Sequence, residues 1–133
     1  MKNPRRMLLE ILFATVALFL VTGTALAQDV LKVAGGTETH KVLLENAQVR
    51  VLDARLQPGQ KVAMHSHPAN IVYFQTDGRF KLTYPDGKTE ERESKAGQAR
   101  WSEAVTHAVE NVGTTEVHLV QIELKGEAAP AKK

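Results

Sequence analysis

The sequence predicts an all-β single domain, and three observations point to it. From residue 40 onward, short apolar runs recur at regular spacing with turn residues between them, the signature of a β-sandwich or barrel. Residues 80–84 alternate strictly, placing Phe80, Leu82 and Tyr84 on one face. The pairs Pro58-Gly59 and Asp77-Gly78 and the run Pro85-Asp86-Gly87 mark sharp reversals, since proline presets φ and glycine accepts positive φ.

Taken in order, residues 1–27 read as an export signal rather than part of the fold. Lys2, Arg5 and Arg6 precede an apolar stretch over residues 11–21, Gly23 breaks it, and Ala25-Leu26-Ala27 is a small-residue cleavage site. The apolar stretch is shorter than the roughly 20 residues a membrane span needs. No cysteine follows it to accept a lipid. Cleavage after Ala27 and a periplasmic or secreted location are therefore expected, with no stable membrane anchor afterwards. The full chain of 133 residues has 17 basic and 15 acidic residues. Removing Lys2, Arg5, Arg6 and Glu10 leaves 14 of each, so the mature chain is formally neutral and nothing in it points to nucleic acid. Having no cysteine excludes disulfides, thiolate ligands and a cysteine nucleophile.

Residues 28–39 have few fold signals, and Gly35-Gly36 suggests a loose leader. Residues 41–44 and 49–56 are the first strand candidates, with Val49, Val51 and Leu52 as expected inward contributors. Residues 62–67 form the next strand, followed by residues 71–75. The charged run 88–95 is best read as the return strand of a solvated hairpin, where charge discourages edge pairing. Residues 116–124 form the last strand, with His118, Val120, Ile122 and Leu124 sharing a face. His118 is read as a hydrogen-bonded residue beside a core strand, and His40 as a surface residue. Residues 126–133 are a polar, alanine-rich tail expected to be disordered.

The candidate site lies in residues 59–78. On a strand over residues 62–67, side chains two apart share a face, so His65 and His67 point the same way, with Ala63 leaving room beside them. Two imidazoles on one face can converge on a single cation. Gly97 opens a second segment that supplies His107 and Asn111. Together these residues resemble the cupin superfamily, whose first motif reads G-x5-H-x-H-x3-4-E-x6-G and whose second reads roughly G-x5-P-x-G-x2-H-x3-N. Gly59, His65, His67 and Gly78 fall on the first motif. Gly97, His107 and Asn111 fall on the second, with Glu103 in the proline place and the loop before His107 one residue shorter.

The resemblance implies a double-stranded β-helix (cupin or jelly-roll) barrel over residues 40–125, with a homodimer as the expected assembly. It also places a metal-binding glutamate at position 71, where this chain has Ile71 flanked by Asn70 and Val72. What remains is a three-histidine set of His65, His67 and His107 for a divalent metal ion, with Fe, Mn, Zn, Ni and Cu not distinguished. The glutamate-less pattern is similar to the three-histidine cupins, which include the thiol dioxygenases. The alternative is a cupin that has lost tight metal binding.

Two function classes stay open. One is a metal-dependent enzyme acting on a small molecule, an oxygenase or other metal-assisted chemistry. The other is a non-catalytic periplasmic module that binds a small ligand or a metal. Against a thiol dioxygenase, export places the chain where thiols are oxidised and ferrous iron is scarce. Tyr73, Tyr84, Trp101 and Glu103 are the nearby groups nominated to support the site. Trp101 is read either as a pocket wall or as a core residue, with core favoured.

Overall fold

The computed structural model describes residues 28–126. The expected export signal, and residues 127–133 of the expected tail, lie outside the described residues. Nine strands follow in order: β1 (His40–Glu45), β2 (Val49–Leu56), β3 (Lys61–His67), β4 (Asn70–Phe74), β5 (Gly78–Thr83), β6 (Thr89–Ser94), β7 (Ala99–Ser102), β8 (Val105–Asn111) and β9 (Val117–Leu124). They form a five-stranded sheet in the order β1-β2-β9-β4-β7 and a four-stranded sheet in the order β3-β8-β5-β6. Every pairing of these strands is antiparallel.

Two apolar clusters join the sheets. Leu52 and Leu56 of β2 meet Val62 of β3, and Phe74 of β4 and Val117 of β9 meet Phe80 and Leu82 of β5. Val109 of β8 packs against both clusters. Burying such side chains away from water is the main force closing a sandwich of this kind. The turn at Gly59 has φ 81° and the turn at Gly87 has φ 83°, as the Pro-Gly and Pro-Asp-Gly signals require.

The segment read as a loose leader is packed. A 3-10 turn (Val30–Lys32) and a short helix α1 (Gly36–Thr39) lie against the barrel, and Val30 is completely buried with Leu52, Leu56 and Val62. Backbone bonds from Ser66 to Gln28 and from Ala63 to Ala34 tie the segment to the free edge of β3. Gly35-Gly36 marks a close approach, not slack. A Cβ on Gly36 would stand 1.8 Å from the Val30 carbonyl oxygen, and one on Gly35 2.1 Å from that of Lys61.

The inward face of β2 also differs in part from expectation: Leu52 points in, but Val49 and Val51 do not. Arg50, Leu52, Ala54 and Leu56 face inward on β2, while Val49 and Val51 face outward. On β9 the shared face of His118, Val120, Ile122 and Leu124 is the outer one, and Val117, Gln121 and Glu123 are the buried residues. The outer face of the large sheet is itself apolar. Trp101, Ile71, Ile122, Val51 and Leu44 stand side by side across all five strands. That row removes the apolar/polar contrast from which inward residues are read in a sequence.

Candidate metal centre

His65, His67 and His107 come together inside the barrel. One ring nitrogen from each lies within 4.8 Å of the others. The ring centroids are 4.7 Å apart for His65 and His67, 4.9 Å for His65 and His107, and 5.5 Å for His67 and His107. Local structure explains the placement. His65 on β3 stands directly opposite His107 on β8, and a register shift between Val62 and His65 bulges β3 at Ala63-Met64. The bulge turns both Val62 and His65 inward, although they are three residues apart. It leaves Ala63 exposed, so this alanine does not share the histidine face as strict alternation would have it.

The hydrogen bonds fix two of the rings. His65 Nδ1 is 2.6 Å from the Ala63 carbonyl, which can only accept, so Nδ1 carries the proton and Nε2 is bare. His67 Nδ1 donates in the same way to Glu123 Oε1 at 2.6 Å. Glu123 Oε2 accepts from Arg50 Nε at 2.6 Å, and Arg50 Nη1 donates to Asp29 Oδ2 at 2.5 Å. A chain of alternating charge thus runs from the histidine cluster to the packed N-terminal segment. Burial alone would raise the Glu123 carboxyl, but the bonds from His67 and Arg50 hold it below the usual carboxylate range.

Two buried nitrogens, His65 Nε2 and His107 Nδ1, have no hydrogen-bond partner among the described residues. An unpaired buried polar atom costs about 1–3 kcal/mol, so such atoms call for an explanation. Burial, more than any other cause, pushes His65 down to about 4 and His107 down to about 3. Neutral imidazoles with bare, convergent nitrogens are the form in which histidine binds a metal, and these three could hold a metal ion.

The cluster opens onto a cavity of about 170 Å³ between the sheets, walled mainly by apolar side chains such as Val72, Phe74, Leu82 and Leu119. His40 lines it, contrary to the expectation of a surface residue. It is 8% exposed, and its ring centroid is 6.3 Å from that of His65. The Thr39 hydroxyl donates to the Gly35 and Gly36 carbonyls, so at 2.8 Å it accepts from His40 Nδ1, leaving His40 Nε2 as an acceptor. Burial, followed by the charges of His67 and His65, pushes His40 down to about 4.

Ile71 does not lie beside the histidines. It is on the outer face of β4, between Trp101 and Ile122, while Asn70 and Val72 on either side line the cavity. The motif's longer spacing, four residues between His67 and the glutamate, falls on the inward Val72. Tyr84 lines the cavity, with its hydroxyl donating to Glu90. Tyr73 faces outward and is exposed. Trp101 is not a core residue: it is 54% exposed on edge strand β7, borders the cavity rim, and donates through Nε1 to Glu103 at 2.6 Å. His118 is hydrogen-bonded to Asp53 at 2.6 Å beside the core strands, as expected. Asn111 is buried and donates to the Leu56 and Thr115 carbonyls, so its role in the motif is to lock two turns.

Residues 52–123, more than half of the chain, match the family model described as a cupin domain. The chain belongs to the cupin family. Its nine-stranded, two-sheet architecture is the double-stranded β-helix of small single-domain cupins. This cupin is 36% identical over 88 residues to the beta-alanine degradation protein BauB of Pseudomonas aeruginosa, a match covering 63% of this chain and 90% of that protein. A cupin domain of Bordetella pertussis Tohama I, known from a crystal structure, superposes with a TM-score of 0.61 at 30% identity, covering 65% of this chain and 92% of that one. A double-stranded β-helix protein of Klebsiella pneumoniae shares the fold with a TM-score of 0.53 at 24% identity, covering 68% and 78%.

Sequence reasoning missed Glu123, Arg50 and His40. Glu123 and Arg50 are direct cross-strand partners on β9 and β2, a pairing that sequence spacing does not reveal. His40 lies just outside the motifs, at the start of β1, opposite Ala54.

Proposed function

We propose that this cupin holds a divalent metal ion through His65, His67 and His107 and acts on a small molecule in the adjoining cavity. The observation behind this reading is the pair of buried, partnerless nitrogens, His65 Nε2 and His107 Nδ1, beside a third ring anchored by Glu123. A bound divalent ion would supply Lewis-acid polarisation or, if redox-active, a meeting place for dioxygen and substrate. The chain's own groups would orient that centre. Glu123 and the Ala63 carbonyl hold two rings, and His40 Nε2 offers an acceptor toward the cavity. BauB's name places that relative in the breakdown of a small amino acid, which is compatible with a small-molecule substrate here.

A second reading, a binding module without chemistry, is favoured by the cavity wall, where the described residues include no aspartate, glutamate or lysine to transfer protons. Metal analysis of protein purified from the periplasm, followed by turnover assays of the loaded protein under air, separates the two. A stoichiometric metal with turnover supports the enzyme, and a stoichiometric metal without turnover supports the module.

Export to the periplasm and a homodimer belong to the same proposal. The row Trp101, Ile71, Ile122, Val51 and Leu44 crosses five strands spaced about 4.8 Å apart, so it is roughly 20 Å long. With Tyr73 also exposed on β4, this face suits a second copy packed sheet to sheet. Light scattering of the purified chain tests this: a dimer that Ile71→Glu turns into a monomer supports it, and a wild-type monomer rejects it.

A further inference from the structure

The large and small sheets each end in a short edge strand, β7 and β6, and each of these turns one arginine inward. Arg100 on β7 pairs with Val72, and Arg92 on β6 pairs with Phe80, so both guanidinium groups share a face with cavity-lining side chains. Among the described residues bordering the cavity they are the only arginines, and none is a lysine, aspartate or glutamate.

The two arginines differ in how far they are neutralised. Arg92 is held by Glu90, with Nε 2.8 Å from Oε1 and Nη2 2.9 Å from Oε2. Arg100 has no carboxylate partner, alone among the arginines of the described residues. One nitrogen, Nη2, donates to the Glu93 carbonyl at 2.7 Å and to Gln98 Oε1 at 2.9 Å, which ties β7 to β6. Its guanidinium carbon sits 5.3 Å from the centre of the Phe74 ring, a buried wall of the cavity. The group is thus fixed in place by neutral contacts, with Nε and Nη1 left as donors.

From this arrangement we infer that Arg100 is the anion anchor of the cavity and that the ligand class is a small organic carboxylate. Its carboxylate meets Arg100 at the β6–β7 edge, its short apolar body lies against Phe74 and Val72, and its other end reaches the three histidines. This deepens the proposed function and rests on the histidine cluster being the working site. A competing account gives the inward arginines only the task of discouraging edge-to-edge pairing of β6 and β7.

The test uses the full mature chain, metal-free and zinc-loaded, titrated calorimetrically with straight-chain carboxylates from acetate to hexanoate and with the matching primary amides. Wild type should bind the best carboxylate about tenfold or more tightly than its amide, in both metal states, because a charge-assisted guanidinium pair discriminates on that scale. Arg100→Gln should abolish the preference while leaving zinc stoichiometry unchanged, and Arg100→Lys should keep part of it. Equal binding of acids and amides, or no binding of either, overturns the inference. So does a preference that survives Arg100→Gln, including one that disappears only on metal removal, which would place the anion on the metal. Zinc stoichiometry, read separately, reports on the metal proposal itself. If Arg100→Gln does not fold, the Arg100→Lys comparison decides: a preference unchanged from wild type overturns the anchor, and a weakened one supports it.

Discussion

His67 Nδ1 and Glu123 Oε1 lie 2.6 Å apart, with both side chains only 2% exposed. The carboxylate that cupins of the common pattern would place on the metal is missing from the motif here. A different carboxylate, from the last strand, instead stands behind one of the three rings. It fixes the tautomer of His67 and makes the ring a better electron donor. Arg50 on its far side keeps it ionised.

Glu123→Gln should therefore damage both fold and site. The amide removes the charge facing Arg50, which keeps only Asp29, and its NH2 can meet His67 Nδ1 only if that ring takes the other tautomer, with the proton on Nε2. A loss of about 3–5 kcal/mol in stability and about 10–100-fold in metal affinity is expected. Denaturant melts and zinc titrations of the variant check the two effects separately. A variant with wild-type stability would show that the Arg50–Glu123–His67 chain is not a structural element.

The position of the missing glutamate is testable by a pair of substitutions. Val72→Glu projects a carboxylate into the cavity that the histidines share, whereas Ile71→Glu projects one onto the outer face. Val72→Glu should tighten zinc or manganese binding, and Ile71→Glu should leave it unchanged. Competition titration against a chromogenic chelator measures both. The opposite ranking would place the inward face of β4 on the wrong residues.

Acidification should destabilise the metal-free protein. His40 and His65 are lowered to about 4 and His107 to about 3, against 6.5 for free imidazole, mainly because they are buried. The unfolded chain takes up protons first, so stability is full above about pH 6.5 and falls as pH drops toward 4 and then 3. Thermal melts of metal-free protein between pH 7.5 and 4 should show a progressive drop in Tm. His40→Phe should reduce that drop by removing one of the three groups, and an unchanged profile in this variant would exclude His40 as a buried neutral histidine.

The N-terminal segment offers a test independent of metal. Gly36→Ala places a methyl group 1.8 Å from the Val30 carbonyl, a backbone atom that cannot rotate away. The segment must then lift from the barrel, exposing Val30 and the apolar side chains beneath it. A loss of about 2 kcal/mol or more is expected, in the range of a core truncation, along with faster proteolysis before residue 40. Wild-type stability in Gly36→Ala would mean that the segment is dispensable for the fold.

Much of the succession of strands along the chain was legible because the turns are punctuated by Pro58-Gly59 and Pro85-Asp86-Gly87 and the hairpin by the alternation of Phe80, Leu82 and Tyr84. The histidine cluster was legible because His65 and His67 share one strand face and His107 follows a recognisable turn. Inward and outward faces were not legible on β2 and β9, where apolar residues occupy both sides and alternation gives no contrast. Ile71 was misplaced for the same reason: Ile71, Val72 and Tyr73 are all apolar or aromatic, and only the pairing with Trp101 and Ile122 shows which one faces out. Gly35-Gly36 was misread because glycine signals slack and tight backbone contact alike. Glu123, Arg50 and Asp29 form their chain only when segments far apart in sequence are brought together.

The proposal that stands or falls first is that His65, His67 and His107 hold one metal ion. The direct measurement is metal content per chain, by elemental mass spectrometry, for wild type and for His65→Ala, His67→Ala and His107→Ala, each reconstituted with zinc and freed of excess. Close to one ion per wild-type chain is expected, with most of it lost in each variant and circular dichroism showing the barrel retained. A wild-type chain that retains no metal, or single-histidine variants that retain a full equivalent, would contradict it.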